Sequence, residues 1–343
     1  MPAIDIHTHA MPLPVLEWLA SEGLADLEGV DRSATSGIVR LDSRISGVAP
    51  GTPLPLARSQ WDVATRLDEM DSQGVTHHAV SLPPFLMGST CTDEDLVGEV
   101  VRRGNDALAE YVAQAPHRLV GLGTAPVGLE EVAQEASRVL DLGMPGVAIG
   151  TRGAGRELDH PVNEDLWRLL AERQALAFLH PSGVPDLPRI TDYYLPQLLG
   201  YPMETAIAVT RLTFAGVRES HDFPLCLAHG GGCLPSLRGR LDLGWERKDV
   251  ACSTPRPPSA YIRGLYFDTA VFSDDVLADL IGAFGASQVV IGTDFPFELA
   301  DRNPLESVAA IDVNDDDSAQ VVWQTAARLL RLDLRPDAIE GEL

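Results

Sequence analysis

Short apolar runs alternate with longer amphipathic stretches along most of this chain. Eight runs stand out, at 3–7, 77–82, 118–123, 146–149, 176–180, 225–229, 265–268 and 289–292. Each is rich in Val, Ile, Leu, Phe or Ala and most are bounded by Gly, Pro or Ser, as strands buried on both faces are. The stretches between them, at 61–73, 93–115, 129–142, 161–173, 202–218 and 274–284, carry helical periodicity. Most have Pro near the start or Gly near the end. Strand and helix repeated eight times predict an α/β fold, a closed (β/α)8 TIM barrel. Residues 1–343 then form a single barrel domain.

Three stretches fall outside the repeat. Residues 11–60 are rich in Pro and Gly and too long for an ordinary strand-to-helix loop. They are expected to form an insertion after strand one, a lid or small subdomain over the barrel mouth. Residues 247–259 read as an extended, Pro-rich excursion. The acidic run 312–317 is expected to be the solvated N-terminus of a C-terminal helix at 318–330, since it lacks the Gly and distal Glu of an EF-hand loop.

Composition narrows the partners. With 26 Lys+Arg against 50 Asp+Glu, the net charge of −24 argues against nucleic acid or an anionic membrane surface. No apolar run approaches the ~18 residues of a membrane span, and no signal peptide is visible at Met1-Pro2-Ala3. Cys91, Cys226, Cys233 and Cys252 show no CxxC spacing, so a thiolate zinc site is not expected and a reducing cytoplasm fits.

The chemistry gathers at the strand ends. His7 and His9 lie two apart in an extended segment and point the same way. His180 ends run five, His229 ends run six, and Asp294 follows run eight in Gly292-Thr293-Asp294-Phe295-Pro296-Phe297. An apolar strand should not end in an ionisable group without a partner to offset its desolvation. Barrel active sites lie at this end of the strands, so the set reads as a mononuclear metal centre. His77, His78, His117, His160 and His221 read as surface or capping residues.

With these motifs in place, the chain resembles the metal-dependent, non-oxidative decarboxylase branch of the amidohydrolase superfamily. HxH, then His180-Pro181, His229-Gly230-Gly231-Gly232 and Gly292–Phe297 carry the resemblance in that order, together with Pro202-Met203-Glu204-Thr205 and 255–261. The resemblance implies that His7, His9, His180 and Asp294 bind one divalent ion, Zn2+ or Mn2+, and that His229 is the catalytic acid/base, with Asp294 beside it. It implies a homodimer in which Arg240 reaches the neighbouring subunit's site, with Phe297 walling the substrate pocket. The substrate would be a small carboxylate of the carboxymuconate-semialdehyde or hydroxybenzoate type. Two departures stand out: a family arginine seven residues before the Trp-Asp pair is Leu54 here, and a family tryptophan before a Leu-Pro pair appears as Tyr193. Arg40, Arg44 or Arg58 could replace the missing arginine. Lys248 is the only lysine, so a lysine-bridged binuclear centre has no candidate. The same residues could activate water in a metal-dependent hydrolase of a lactone or amide, with Asp294 as base.

Overall fold

The computed structural model describes residues 1–48, 51–185 and 188–334. Eight parallel strands form one sheet: β1 (Ile4–His9), β2 (His77–Ser81), β3 (Leu119–Thr124), β4 (Gly146–Gly150), β5 (Leu176–His180), β6 (Leu225–Leu227), β7 (Tyr266–Asp268) and β8 (Val289–Val290), hydrogen-bonded in chain order. The sheet closes on itself where the Ile6 amide donates to the Ile291 carbonyl at 2.9 Å and the His9 amide to the Phe295 carbonyl at 2.8 Å. This is the expected (β/α)8 barrel. Helices α1 (Val63–Ser72), α2 (Glu94–Val112), α3 (Val132–Asp141), α4 (Glu164–Arg173), α5 (Tyr201–Phe214), α6 (Leu234–Arg247) and α7 (Asp274–Phe284) pack around it. The acidic run forms the first turn of a last helix, α8 (315–329), where the Asn314 side chain accepts from the Asp317 amide, as expected of a helix start.

Burial follows from strand alternation. On β4 and β5, Val147, Ile149, Ala177 and Leu179 face outward and pack with Val132, Val139, Leu166 and Leu170 of the helices. Ala148, Leu176 and Phe178 belong to a separate apolar cluster on the other face. The Phe178 ring lies 5.0 Å from that of His7, which places this face inside the barrel. His180 is two residues further along that inner row, and so arrives at the mouth.

The segment 11–60 is not an irregular loop. It holds a helix, Leu13–Ser21, and a three-stranded sheet of Ala25–Asp26, Ser36–Leu41 and Leu54–Ala57. Leu16, Leu19, Val39, Leu41 and Leu56 give it a core continuous with α2 and β2. The excursion before β7 contains a short helix, Pro258–Ile262.

Candidate metal centre

His7, His9, His180 and Asp294 meet at the mouth, each offering one ligand atom, with these atoms all within 4.8 Å of one another. Each imidazole is held from behind by its Nδ1. That of His7 lies 2.6 Å from Asp268 Oδ2, that of His9 3.3 Å from the Leu82 carbonyl, and that of His180 2.8 Å from the Pro181 carbonyl. Such bonds place the proton on Nδ1 and leave Nε2 as a free lone pair, the arrangement of metal-ligating histidines. All three Nε2 atoms and Asp294 Oδ1 are buried without a hydrogen-bond partner. Buried polar atoms are seldom left so, and four converging on one point fit a divalent cation.

The electrostatics agree. Burial and neighbouring imidazoles keep His180 well below the ordinary histidine range, and burial lowers His9. Asp294 is held well below the usual carboxylate range, because the charge of His7 and the surrounding imidazoles outweigh its burial. His7 is pushed up to about 10: burial opposes its charging, but Asp294 and Asp268 outweigh it. The protein alone balances Asp294 by placing a proton where a metal ion would supply positive charge.

His229 completes the group. Its Nε2 is 3.5 Å from Asp294 Oδ2, and its ring lies 5.2 Å from His7 and 5.1 Å from His180. The backbone here is unusual: φ is +56° at His229, +58° at Gly230, +76° at Gly231 and +61° at Gly232, and Asp294 stands at +67°. A Cβ at Gly232 would come 2.2 Å from the Pro202 carbonyl oxygen. The His-Gly-Gly-Gly run thus lets a left-handed turn seat His229 under the start of α5. Non-glycine residues in this region carry strain, and His229 and Asp294 are two of those that adopt it among the described residues.

Asp268 is the main participant that the sequence reading passed over. Besides His7, it accepts from the Gly230 amide at 2.8 Å and the Ala270 amide at 3.2 Å, tying His7 to the turn that holds His229. It ends β7 as His180 ends β5, and the same argument about ionisable groups closing apolar runs would have found it. Arg66 on α1 was also missed. It is fully buried beneath the His7–His9 segment and donates to the His9 carbonyl, Thr8 Oγ1 at 3.2 Å, the Ser59 carbonyl at 3.1 Å and Tyr111 Oη at 2.9 Å. His78 departs from its expected surface position: it is buried on β2, 3.2 Å from Arg66, because the second strand enters the barrel at once. The other bland readings tested by contacts fare better. His160 caps the turn before α4 by accepting from the Val162 amide, and His221 pairs with Glu164 at 2.8 Å.

The expected substrate residues divide. Phe297 stands beside the centre, 5.2 Å from the His9 ring, with Phe85 against its other side at 5.8 Å. Tyr193 does not: it is 87% exposed. Consecutive left-handed residues turn the chain there, and its neighbour Tyr194, directly before Leu195-Pro196, is the one raised by the charges of Glu298 and Asp294 beyond its partial burial. Arg240 lies exposed on α6. Arg40 pairs with Asp26 at 3.5 Å, Arg44 with Asp42 at 3.0 Å and Arg58 with Asp62 at 3.5 Å, so all three are engaged within the insertion or beside it.

Comparisons with known proteins agree with this geometry. The family described as "Amidohydrolase" matches residues 4–332. A 2-amino-3-carboxymuconate-6-semialdehyde decarboxylase of Dictyostelium discoideum is 30% identical, over 96% of this chain and 92% of its own. A gamma-resorcylate decarboxylase of Rhizobium radiobacter is 30% identical, over 79% and 88%. The crystal structure of 5-carboxyvanillate decarboxylase from Sphingomonas paucimobilis superposes with a TM-score of 0.81 at 23% identity, over 97% and 99% of the two chains, and shares the fold.

Proposed function

The chain belongs to the amidohydrolase family, and on that premise we propose that it is a metal-dependent, non-oxidative decarboxylase of a small conjugated or aromatic carboxylic acid. The observation that carries the reading is the set of three orphaned Nε2 atoms and one orphaned carboxylate oxygen converging at the mouth, with a further histidine alongside. His7, His9, His180 and Asp294 would hold one divalent ion, which when bound supplies positive charge to orient and polarise the substrate's oxygens. Nitrogen and oxygen donors with open positions suit Zn2+, with Mn2+ as the second choice.

The chain's own groups do the rest. Loss of CO2 from an enol or phenol acid requires a proton at the carbon bearing the carboxylate. His229 would deliver it; its Nε2 lies 3.5 Å from Asp294 Oδ2, and the turn that carries it is bonded through Gly230 to Asp268. The carbon–carbon bond then breaks, its electron pair restores the substrate's conjugation, and CO2 leaves. Phe297 and Phe85, their rings 5.8 Å apart, would wall the site.

The functional unit in this reading is a homodimer. Leu198, Leu199, Ile207 and Leu243, on and before helices α5 and α6, are exposed apolar side chains that a second copy would cover, and Arg240 on α6 would reach the neighbour's substrate. Four unpaired cysteines suit the cytoplasm, and no helix among the described residues is long and apolar enough to cross a membrane.

Elemental analysis and a CO2-release assay on 2-amino-3-carboxymuconate-6-semialdehyde and 2,6-dihydroxybenzoate test the proposal. His229→Asn is expected to keep its metal and lose turnover by at least about 100-fold. Full activity in that variant, or hydrolysis of a lactone panel without CO2 release, would overturn it.

A further inference from the structure

Beyond the metal centre, one more group of polar atoms at the mouth lacks partners. β4 and β5 pair with Gly150 opposite His180. Two residues past each lie Arg152 and Ser182, just beyond the strand ends. The Ser182 hydroxyl and Arg152 Nε are both buried with no hydrogen-bond partner. A Cβ at Gly150 would sit 2.3 Å from Ser182 Oγ, and one at Gly183 would sit 3.4 Å from Arg152 Nε and Nη2. Two glycines thus give the hydroxyl and the guanidinium their room. Among the described residues, the carboxylate paired with Arg152 is Glu204 on the first turn of α5, 3.9 Å away and beyond hydrogen-bond range; Glu157, opposite Arg152 in the adjoining hairpin, pairs instead with Arg211 at 3.6 Å. Glu204 is only 5% exposed, and its burial favours the neutral form more than Arg152 opposes this.

The group adjoins the metal centre. Tyr201, one helical turn before Glu204, packs edge-on against His180 with ring centroids 6.3 Å apart. No side-chain hydrogen bond holds its hydroxyl among the described residues. So a wall of Tyr201, Ser182 and Arg152 runs from the metal ligand His180 outward. It offers donors in sequence and a cation at its far end whose Nε is unused. A buried guanidinium N–H without an acceptor costs about 1–3 kcal/mol, and the planar fork is matched in shape to a carboxylate.

We propose that this wall is a second anion subsite, in which Arg152, with Ser182 beside it, binds a carboxylate of the substrate other than the one that is lost. The proposal rests on the decarboxylase reading and deepens it: the substrate class would be acids with two anionic groups, one at the metal centre and one at Arg152. The guanidinium here belongs to the same subunit as the metal ligands, so this recognition does not depend on Arg240 of a second copy.

The test is calorimetric binding to the metal-loaded protein, with isophthalate and terephthalate as dicarboxylates and benzoate as the single-carboxylate control. At least one dicarboxylate is expected to bind about ten-fold more tightly than benzoate, one charge-assisted hydrogen bond being worth about that factor. In Arg152→Gln the advantage is expected to fall to about two-fold or less, and in Arg152→Lys to recover in part, since the charge remains and the fork does not. Equal binding of all three acids to the wild-type protein overturns the subsite. So does a dicarboxylate advantage that survives in Arg152→Gln. These probes carry no hydroxyl to support CO2 loss, so the outcome is independent of turnover. A protein that binds them as expected but releases no CO2 from any substrate would refute the decarboxylase reading and leave the subsite standing.

Discussion

Asp268→Asn should strip the metal centre of affinity without touching a ligand. Asp268 Oδ1 accepts from the Gly230 and Ala270 amides, while Oδ2 lies 2.6 Å from His7 Nδ1, and both side chains are fully buried. In the asparagine variant the carbonyl oxygen must stay toward the two backbone donors, because an amide NH2 there would face two N–H groups. The NH2 is therefore turned toward His7. His7 Nδ1 must then accept, which moves its proton to Nε2, the atom that faces the other ligands. Loss of such an outer partner costs about 10–100-fold in metal affinity, or roughly 1.4–2.7 kcal/mol. Competition of the purified protein against a fluorescent zinc chelator reads this directly. The metal-free variant should melt below the metal-free wild type, since the bonds to Gly230 and Ala270 survive but the charge that Asp268 sets against protonated His7 is lost. A zinc affinity within about three-fold of wild type would refute the claim that Asp268 fixes the His7 tautomer.

Three further outcomes are expected. Removing the metal with a chelator should lower the melting midpoint by about 6 °C if the free ion stood about 1,000-fold above its dissociation constant, a linkage of about 4 kcal/mol; an unchanged midpoint would mean the cluster holds no ion. Gly292→Ala should lose metal even though residue 292 is no ligand, because its Cβ would lie 2.5 Å from Asp268 Cβ and 2.9 Å from His7 Cβ; normal metal content on elemental analysis would contradict this. Arg66→Met should destabilise the fold by at least about 3 kcal/mol in urea unfolding, since several buried acceptors lose their donor at about 1–3 kcal/mol each; a change under about 1 kcal/mol would show that Arg66 is not what pins the His7–His9 segment.

The barrel and its ligands were legible because strand ends are where polarity and burial conflict. His180 at the end of Leu176–His180 has no apolar reason to be there, and that conflict is visible in one sequence. Asp268 obeys the same logic at the end of Tyr266–Asp268 and was within reach of it, but its role, holding His7 from across the barrel, shows only in the structure. Arg66 was invisible for the opposite reason. An arginine on an amphipathic helix reads as solvent-facing, and only the approach of α2 and the 58–60 turn closes over it. Arg152 is silent in the same way, since its meaning lies in what fails to reach it. The insertion was expected as a lid or small subdomain, but its helix and sheet were not legible, because Leu16, Leu19, Val39 and Leu56 make a core from short pieces too irregular in spacing to show a period.

The site is also a seam. Asp5 accepts from the Thr293 hydroxyl and amide across 288 residues of sequence, and the bond between His7 and Asp268 spans 261. Two of the four clustered side chains, His7 and His9, therefore leave the ribosome among the first residues, and Asp294 only after seven strands have followed. Nothing local can assemble this constellation. It exists only when the first strand has met the last, after the largest loop-closure cost in the chain has been met. Metal uptake by this protein is accordingly a readout of ring closure. A truncation or late-strand lesion that leaves the first six strands intact should yield a chain that holds most of its strands and helices but cannot retain its ion.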